Sequence, residues 1–213
     1  RRNDGYVVSV NGTGQRRQYL HSQAAVDQAG IAGLKPGDFT PWEALPEKSD
    51  MLFYQGLHGC VVTEDADVAQ YVDLKLGIVP IINMEWIQKI HRDTNQRGYS
   101  EQAVIDTILR RMHEYVHYLI PQFQLTDINF QLVPTVDTSD PFFATEVPTV
   151  DECVIVIRFS DPDKFGIDFP FLLSKIDNSW MSRRNSIVVP GGKMGLAMEL
   201  ILTQILAQLM DAK

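Results

Sequence analysis

Short apolar runs alternate with amphipathic stretches along most of the chain. The clearest amphipathic stretch follows Ser100, where apolar side chains recur at helical spacing. It predicts one helix over Glu101–Leu119, capped by Ser100 and ended by Pro121. The runs Leu76–Asn83 and Cys153–Phe159 predict buried strands, and the second is apolar enough for a sheet covered on both faces. Strands that alternate with helices indicate an α/β fold.

The same patterns predict the remaining elements. Further strands are expected at Tyr6–Val10, Met51–Tyr54, Phe130–Val133 and Ser186–Val189. Further helices are expected at Gln23–Gln28, Glu64–Tyr71, Glu85–Arg92 and Met194–Leu209. Ser22 and Asp168 are expected helix caps, and Pro80 favours an edge position for its strand. A chain of 213 residues is long enough for these elements to share one core, so a single domain over residues 1–213 is expected.

Composition and charge narrow the class of protein. The chain is 45% hydrophobic and 22% charged, as in soluble globular proteins, and its net charge of -8 argues against binding to nucleic acid. No apolar run is long enough to predict a membrane span, because Glu199 and Thr203 interrupt the apolar stretch near the C-terminus. Cys60 and Cys153 have no metal-ligand spacing and are expected to be buried thiols, which fits a reducing cytoplasm.

One segment of this acidic chain concentrates positive charge. Lys89, His91, Arg92 and Arg97 surround a single carboxylate, Asp93. Arginine offers forked donors that match phosphate oxygens, and lysine offers a point charge. The cluster therefore indicates a site for a small anion such as phosphate, with one carboxylate placed for chemistry or metal binding. Ordinary surface charges on a helix and its exit loop are the alternative.

Other polar segments give weaker signals. Gln55 follows an apolar run and is followed by glycine, where a carboxylate would hold Mg²⁺ in many kinases, but a plain turn explains it as well. Residues 8–14 contain a strand and two glycines but lack the spacing and the Lys-Ser/Thr pair of a phosphate-binding loop. Thr135–Ser139 is a further polar segment after a strand, and His113 and His117 are expected to be ordinary residues of one helix face.

Four long strings carry a family resemblance. They are LFYQGLHG (52–59), IINMEWIQKIHRDTNQRGY (81–99), PQFQLTDINFQLVPTVDTSDPF (121–142) and SWMSRRNSIVVPGGK (179–193). From about Gly12 to the C-terminus, the chain closely resembles the bacterial type of phosphoribulokinase. The resemblance implies ATP- and Mg²⁺-dependent phosphorylation of D-ribulose 5-phosphate to ribulose 1,5-bisphosphate, for carbon fixation in the Calvin cycle. It also implies a P-loop nucleoside/nucleotide-kinase-like fold with a mixed, largely parallel sheet flanked by helices.

The resemblance also implies roles for individual residues. Asp93 matches the acidic active-site residue of the family, and the surrounding cations match its sugar-phosphate site: Lys89, His91, Arg92 and Arg97. Four arginines match residues linked to effector binding or to nearby subunit contacts: Arg158, Arg183, Arg110 and Arg111. The family type further implies a cytoplasmic homo-oligomer that NADH activates and AMP inhibits, with no nucleic-acid or membrane partner.

The chain departs from the family at two points. The N-terminal third of the family, with its phosphate-binding loop, has no counterpart that we can align, so a fragment is expected. Gln55 stands where the family has glutamate, a position linked to the metal. Both departures predict impaired phosphate transfer. They leave two alternatives open, a paralogous sugar or nucleoside kinase with another acceptor and an inactive relative that senses nucleotides.

Overall fold

A computed structural model describes residues 7–10, 15–20, 22–44, 51–64 and 66–212. The chain forms two compact units, Arg1–Gly56 and Leu57–Lys213. The expected single domain over residues 1–213 stays a prediction.

The first unit contains a three-stranded antiparallel sheet and one helix. Its elements are β1 (Val7–Val10), β2 (Gln15–Tyr19), α1 (Gln23–Ala29) and β3 (Glu43–Ala44), and the strands lie in the order β1-β2-β3. Ser22 caps α1 as predicted, because its Oγ accepts a hydrogen bond from the Ala25 N–H at 3.3 Å. Gly30 ends the helix with a left-handed φ of 64°. The candidate phosphate loop at residues 11–14 lies outside the described residues.

Two predictions near the junction of the units are wrong. Met51–Tyr54 forms no regular element, and its four side chains are between 49% and 73% exposed. A strand needs a neighbour for its backbone N–H and C=O groups, and the described residues provide none for this run. In the second unit, the expected helix Glu64–Tyr71 is reduced to a single 3₁₀ turn at Ala69–Tyr71.

The second unit is built on a mixed five-stranded sheet. Its strands are β4 (Leu76–Pro80), β5 (Ile128–Pro134), β6 (Cys153–Phe159), β7 (Trp180–Arg183) and β8 (Ser186–Pro190), in the order β4-β5-β6-β8-β7. The mixed sheet and the edge position of β4, which ends at Pro80, are confirmed. Only the β4–β5 pairing is parallel, so within this sheet the parallel share is smaller than expected. The two residues between β7 and β8 can join only antiparallel strands.

Helices account for most of the remaining second unit. They are α2 (Ile82–Asn95), α3 (Glu101–Arg110), α4 (Met112–Glu114), α5 (Gln122–Leu125), α6 (Phe169–Lys175) and α7 (Met194–Asp211), with 3₁₀ turns at Val150–Glu152, Asp163–Phe165 and Gly191–Lys193. Ser100 and Asp168 cap α3 and α6 as predicted. The expected continuous helix Glu101–Leu119 is wrong, because it breaks at Arg111 and continues as a π-helical turn at Tyr115–Leu119.

The core of the second unit lies between one face of the sheet and the helices α6 and α7. Its fully buried members include Ile157, Phe159, Ile187, Ile201 and Ile205. Residues of β6 alternate between buried and half-buried, so the expected burial of both its faces is wrong. The two cysteines are buried and free, as predicted.

One helix meets the length and composition of a membrane span. Among the described residues it is Gly191–Asp211. Three of its side chains, Ala197, Ile201 and Ile205, belong to the buried core described above. The core helix of a soluble protein passes the same test, so this finding is weak evidence for a membrane.

Candidate active site

Helix α2 begins at the carboxyl end of the parallel strand pair. The Ile81 N–H, directly after β4, donates to the Leu132 carbonyl of β5 at 3.0 Å. Asn83 in the first turn of α2 donates to the Thr138 carbonyl in the loop after β5 at 2.9 Å. In open α/β sheets, ligands collect at the carboxyl ends of the strands. The helix that carries the predicted cationic segment therefore starts where a ligand site is expected, and its first cation, Lys89, lies seven residues further on, about 10 Å along the helix axis.

The second half of α2 carries a buried carboxylate that three cations hold. Asp93 is 4% exposed. Its Oδ2 accepts from Lys89 Nζ at 2.6 Å, and its Oδ1 accepts from Arg92 Nε and Arg97 Nη1 at 2.9 Å each. The side chains of the three cations stay 30%, 47% and 39% exposed in that order. The carboxylate is thus enclosed while the cations still face solvent.

The turn after α2 returns Arg97 to the helix. The helix ends at Asn95, and Gly98 follows with a φ of +73°, a conformation that favours glycine. The Tyr99 N–H then donates to the backbone carbonyl of Asp93 at 3.2 Å. This turn brings Arg97 back to a carboxylate that lies four residues earlier.

The charges of this cluster favour an anion. Three cations against one carboxylate leave an excess of two positive charges. Burial raises the pKa of Asp93, but hydrogen bonds and charges from Arg92 and Lys89 outweigh burial and hold that pKa below its ordinary value. A carboxylate with a lowered pKa is a weak base, whereas a general base works best with a pKa near the operating pH. Asp93 is therefore better suited to holding the three cations in place than to accepting a proton.

His91 does not join this cluster. Its Nε2 lies 3.1 Å from the Ala144 carbonyl, and two helical positions place it about 200° around α2 from Asp93. The structure therefore separates His91 from the three cations with which the sequence grouped it.

A cavity of about 310 Å³ lies between α2 and the loop after β5. Its lining includes Ile87 of α2 and three carboxylates, Asp137, Glu146 and Glu152. Sequence reasoning marked the polar run Thr135–Ser139 but missed the cavity. The acidic residues of this loop were the one feature of the sequence that pointed to the cavity. They do not indicate which helix packs against the loop.

The residues of the second unit do not reproduce a magnesium site. Among the described residues, no group of three His, Cys, Asp or Glu side chains is placed to hold a metal. Asp93 does not fit Mg²⁺ as a ligand, because an added cation would have to displace its lysine and arginines. Gln55 lies in the first unit and is exposed.

The two histidines that the sequence places on one helix face lie side by side. The rings of His113 and His117 stack at 4.0 Å, and His117 Nδ1 lies 2.8 Å from the His113 carbonyl.

Two of the four predicted effector arginines share a row of the sheet. Arg158 of β6 lies opposite Ser186 of β8, and Arg183 of β7 lies opposite the same serine. Directly paired residues point to one face, so both arginines lie on one face about 10 Å apart. Arg158 Nη2 also donates to the Phe123 carbonyl at 3.0 Å. The other two are exposed where α3 ends: Arg110 and Arg111.

In this α/β unit, the helix that follows the parallel strand pair carries three cations on its second half and the turn after it, an arrangement that suits a small anion such as phosphate. A family model described as "Phosphoribulokinase / Uridine kinase family" matches residues 9–139, and the chain belongs to this family. The fold is therefore that of a P-loop kinase, as the resemblance implied.

Similar proteins share the name phosphoribulokinase. That of Nitrobacter vulgaris is 59% identical over 202 residues, which are 95% of this chain and 68% of the relative. That of Xanthobacter flavus is 57% identical over 204 residues, which are 96% of this chain and 68% of the relative. The solved structure of phosphoribulokinase from Rhodobacter spheroides matches with a TM-score of 0.80 at 55% identity, over 94% of this chain and 68% of that chain.

Proposed function

We propose that this chain carries the acceptor-binding part of a phosphoribulokinase. The reaction is ATP-dependent phosphorylation of D-ribulose 5-phosphate to ribulose 1,5-bisphosphate, in the Calvin cycle. The observation that carries the proposal is the excess of cations around Asp93, together with identities of 57% to 59% to enzymes of that name. The substrate already bears a phosphate, so a positively charged anchoring site is what its recognition requires.

Each residue of the cluster has a distinct task in this proposal. Lys89, Arg92 and Arg97 bind the phosphate of the sugar through the donor groups that Asp93 leaves exposed. Each charge-assisted hydrogen bond of this kind contributes about 1.5–3 kcal/mol. Asp93 fixes the three side chains in one geometry, so binding does not have to pay the full rotamer entropy of long cations.

ATP with Mg²⁺ supplies the transferred phosphate when bound. We place the loop that holds the ATP phosphates in the third of the relatives that the match leaves out. The described residues contribute no fitting Mg²⁺ site, so no role in metal binding is assigned to Asp93.

The replacement Arg97→Met tests the phosphate site. Loss of one charge-assisted contact is expected to weaken ribulose 5-phosphate binding about 10- to 100-fold. Isothermal titration calorimetry of the chain measures the dissociation constant, and Lys175→Met at the end of α6 is a control that also removes one cation. Equal affinity of both variants and the wild type contradicts the phosphate site. A coupled assay of the full-length gene product with ribulose 5-phosphate and ATP tests turnover. Phosphorylation of a different acceptor alone favours the paralogous kinase.

Regulation and assembly belong to the same proposal. Arg158 and Arg183 share one sheet face, which suits an anionic effector, with NADH as activator and AMP as inhibitor. The chain is proposed to act in the cytoplasm as a homo-oligomer. Fluorescence titration with NADH tests the effector site, and Arg183→Gln is expected to weaken binding about tenfold. Unchanged NADH affinity in that variant removes Arg183 from the site.

Gln55 supports one alternative function. A neutral amide where relatives of this type are expected to hold a metal-linked glutamate favours a nucleotide-sensing protein without turnover. Restoring the charge with Gln55→Glu in an otherwise complete chain, which also carries the loop for the ATP phosphates, separates the two. Turnover that appears in this variant supports an impaired kinase. Background activity with retained binding of NADH or AMP supports the sensor.

A further inference from the structure

Two exposed histidines meet where α4 passes into the π-helical turn. His113 belongs to α4 and His117 belongs to the turn. Their rings stack with centroids 4.0 Å apart and with planes inclined by 19°. Among the described residues neither ring forms an ion pair, and neither belongs to the buried core of the second unit. The pair therefore has no structural partner apart from itself and the backbone beside it.

The π-helical turn helps to align the two rings. The Tyr115 N–H donates to the Arg111 carbonyl four residues earlier, as in an α-helix, but the Ile120 N–H donates to the Tyr115 carbonyl five residues earlier. Residues four apart in an α-helix differ by about 40° around the axis. A turn closed over five residues holds more residues, so it reduces this angle. Turns of this kind are frequent at functional sites.

A hydrogen bond determines which nitrogen of His117 is free. Its Nδ1 lies 2.8 Å from the His113 carbonyl. A carbonyl oxygen can only accept, so Nδ1 carries the proton and donates it, and Nε2 of the neutral ring keeps its lone pair. Metal-binding histidines are held in the same way, with the second ring nitrogen donating to a carbonyl or a carboxylate. No described residue contacts Nε2 of His117 or the ring nitrogens of His113 through a hydrogen bond.

The chemistry of the pair selects the kind of ligand. A lone pair on Nε2 offers no donor to a phosphate or a carboxylate, so the stack does not suit an anion. Mg²⁺ and Ca²⁺ prefer oxygen ligands, whereas imidazole nitrogen suits Zn²⁺, Cu²⁺ and Ni²⁺. The exposed charges nearest in sequence are two positive and one negative: Arg110, Arg111 and Glu114. Their balance does not attract cations, so binding at this pair requires direct coordination by the rings.

We infer that His113 and His117 bind one divalent transition-metal ion of the class of Zn²⁺, Cu²⁺ and Ni²⁺. The ligand atoms are Nε2 of His117 and one ring nitrogen of His113. Two nitrogens that each lie about 2.0–2.1 Å from one ion are at most about 4.2 Å apart, and the ring centroids are 4.0 Å apart. A rotation of the side chains out of the stack therefore suffices to bring both nitrogens to the ion.

Water completes the coordination, because both side chains are exposed. A site with two protein ligands agrees with the finding that no three His, Cys, Asp or Glu side chains of the described residues are grouped around a metal position. The bound ion joins α4 to the π-helical turn.

Removal of either histidine tests the site. Isothermal titration calorimetry of the 213-residue chain with Zn²⁺ measures the dissociation constant. His113→Gln and His117→Gln are each expected to raise it about tenfold or more, since even an outer-shell partner of a metal site contributes about 10- to 100-fold. His58→Gln removes another exposed histidine of the second unit and is expected to leave the dissociation constant unchanged. A wild type that binds Zn²⁺ no more tightly than the double variant, or equal weakening by all three single variants, overturns the inference.

Competition with Mg²⁺ tests the class of metal. An excess of Mg²⁺ is expected to leave the affinity for Zn²⁺ unchanged, because imidazole is a poor ligand for Mg²⁺. Displacement of Zn²⁺ by Mg²⁺ would place the ion on oxygen ligands elsewhere and overturns the inference.

Nitrogen-15 NMR of the wild-type imidazole rings tests the ligand atoms and does not depend on whether the variants fold. In the metal-free chain His117 is expected to carry its proton on Nδ1. Addition of Zn²⁺ is expected to shift the Nε2 resonance of His117 and one ring nitrogen of His113, while the proton on Nδ1 is retained. A proton on Nε2 of His117 in the metal-free chain, or Zn²⁺ that leaves both rings unshifted, overturns the inference. Neither readout requires phosphate transfer, so failure here is distinct from failure of the proposed kinase function.

Discussion

Asp93 and Asp127 are both buried carboxylates of the second unit, 4% and 8% exposed, and each accepts a hydrogen bond of 2.6 Å from a lysine. Their remaining partners differ. Asp93 also binds two arginines, whereas Asp127 accepts its other hydrogen bond from the Lys75 backbone N–H at 2.8 Å. One carboxylate is therefore surrounded by cations, and the other by one cation and the backbone.

The difference separates a binding site from a structural contact. Asp127 and Lys164 balance each other, and Asp127 joins the chain before β4 to the start of β5. The cluster around Asp93 keeps an excess of positive charge on side chains that remain partly exposed. A buried carboxylate with more cations than it can neutralise is thus a better indicator of an anion site than burial or ion pairing alone.

The largest expected effect on stability comes from Asp93→Asn. The variant keeps the shape of the side chain but leaves three cations without their anion. Breaking a buried ion pair costs about 3–5 kcal/mol, and solvent screening of the exposed cations reduces this to about 2–3 kcal/mol here. Urea denaturation measures the free energy of unfolding. A loss as small as that of an ordinary surface substitution contradicts the anchoring role of Asp93.

A smaller effect is expected from Asp127→Asn. The amide oxygen can still accept the Lys75 N–H, so the loss is confined to the pair with Lys164 and amounts to about 1 kcal/mol. The affinity for ribulose 5-phosphate should not change, because Asp127 has no excess cations around it. Denaturation and calorimetry on the same preparation check both statements. Weaker sugar-phosphate binding in this variant breaks the distinction between the two carboxylates.

Acidification should remove the contribution of Asp93. Its pKa is lowered in the folded protein, so its stabilising effect is present above the unfolded pKa of about 4 and is lost as pH falls through the folded value. The difference in unfolding free energy between wild type and Asp93→Asn is therefore expected to shrink below about pH 4. Denaturation curves collected over that range measure it. A difference that grows on acidification is incompatible with the lowered pKa.

Local patterns in the sequence predicted much of this fold. Ser100 and Asp168 cap their helices as expected, and β6 spans Cys153–Phe159 as predicted, since capping and strand patterns act within a few residues. Met51–Tyr54 shows the limit, because an apolar run forms a strand only with a partner strand, which the run itself does not specify. The short polar strand β2 (Gln15–Tyr19) had no apolar pattern and was missed.

The candidate site was predicted in composition but not in geometry. The grouping of Lys89, Arg92 and Arg97 with Asp93 is seen in the structure, because spacings of one and four residues keep them within reach of one carboxylate. His91 was grouped with them although two positions on a helix point to nearly opposite sides. The catalytic role of Asp93 and the roles of the effector arginines stay predictions.

A third carboxylate, Glu85 of α2, has the uncharged hydroxyl of Tyr115 as its partner and gives the smallest expected effect. Burial, followed by the charge and hydrogen bond of Glu85, raises the pKa of Tyr115 to about 12. A raised pKa means that the stabilising effect is complete below the unfolded value of about 10 and is lost as pH rises through about 12. At neutral pH, Tyr115→Phe should cost about 1 kcal/mol, as for one hydrogen bond, and this difference should shrink between about pH 10 and about pH 12. Urea denaturation across that range measures the difference, with Tyr118→Phe as a control from the same π-helical turn. The affinity for the sugar phosphate should stay unchanged in Tyr115→Phe. A lower affinity would show that the contact between Glu85 and Tyr115 also supports the cations around Asp93.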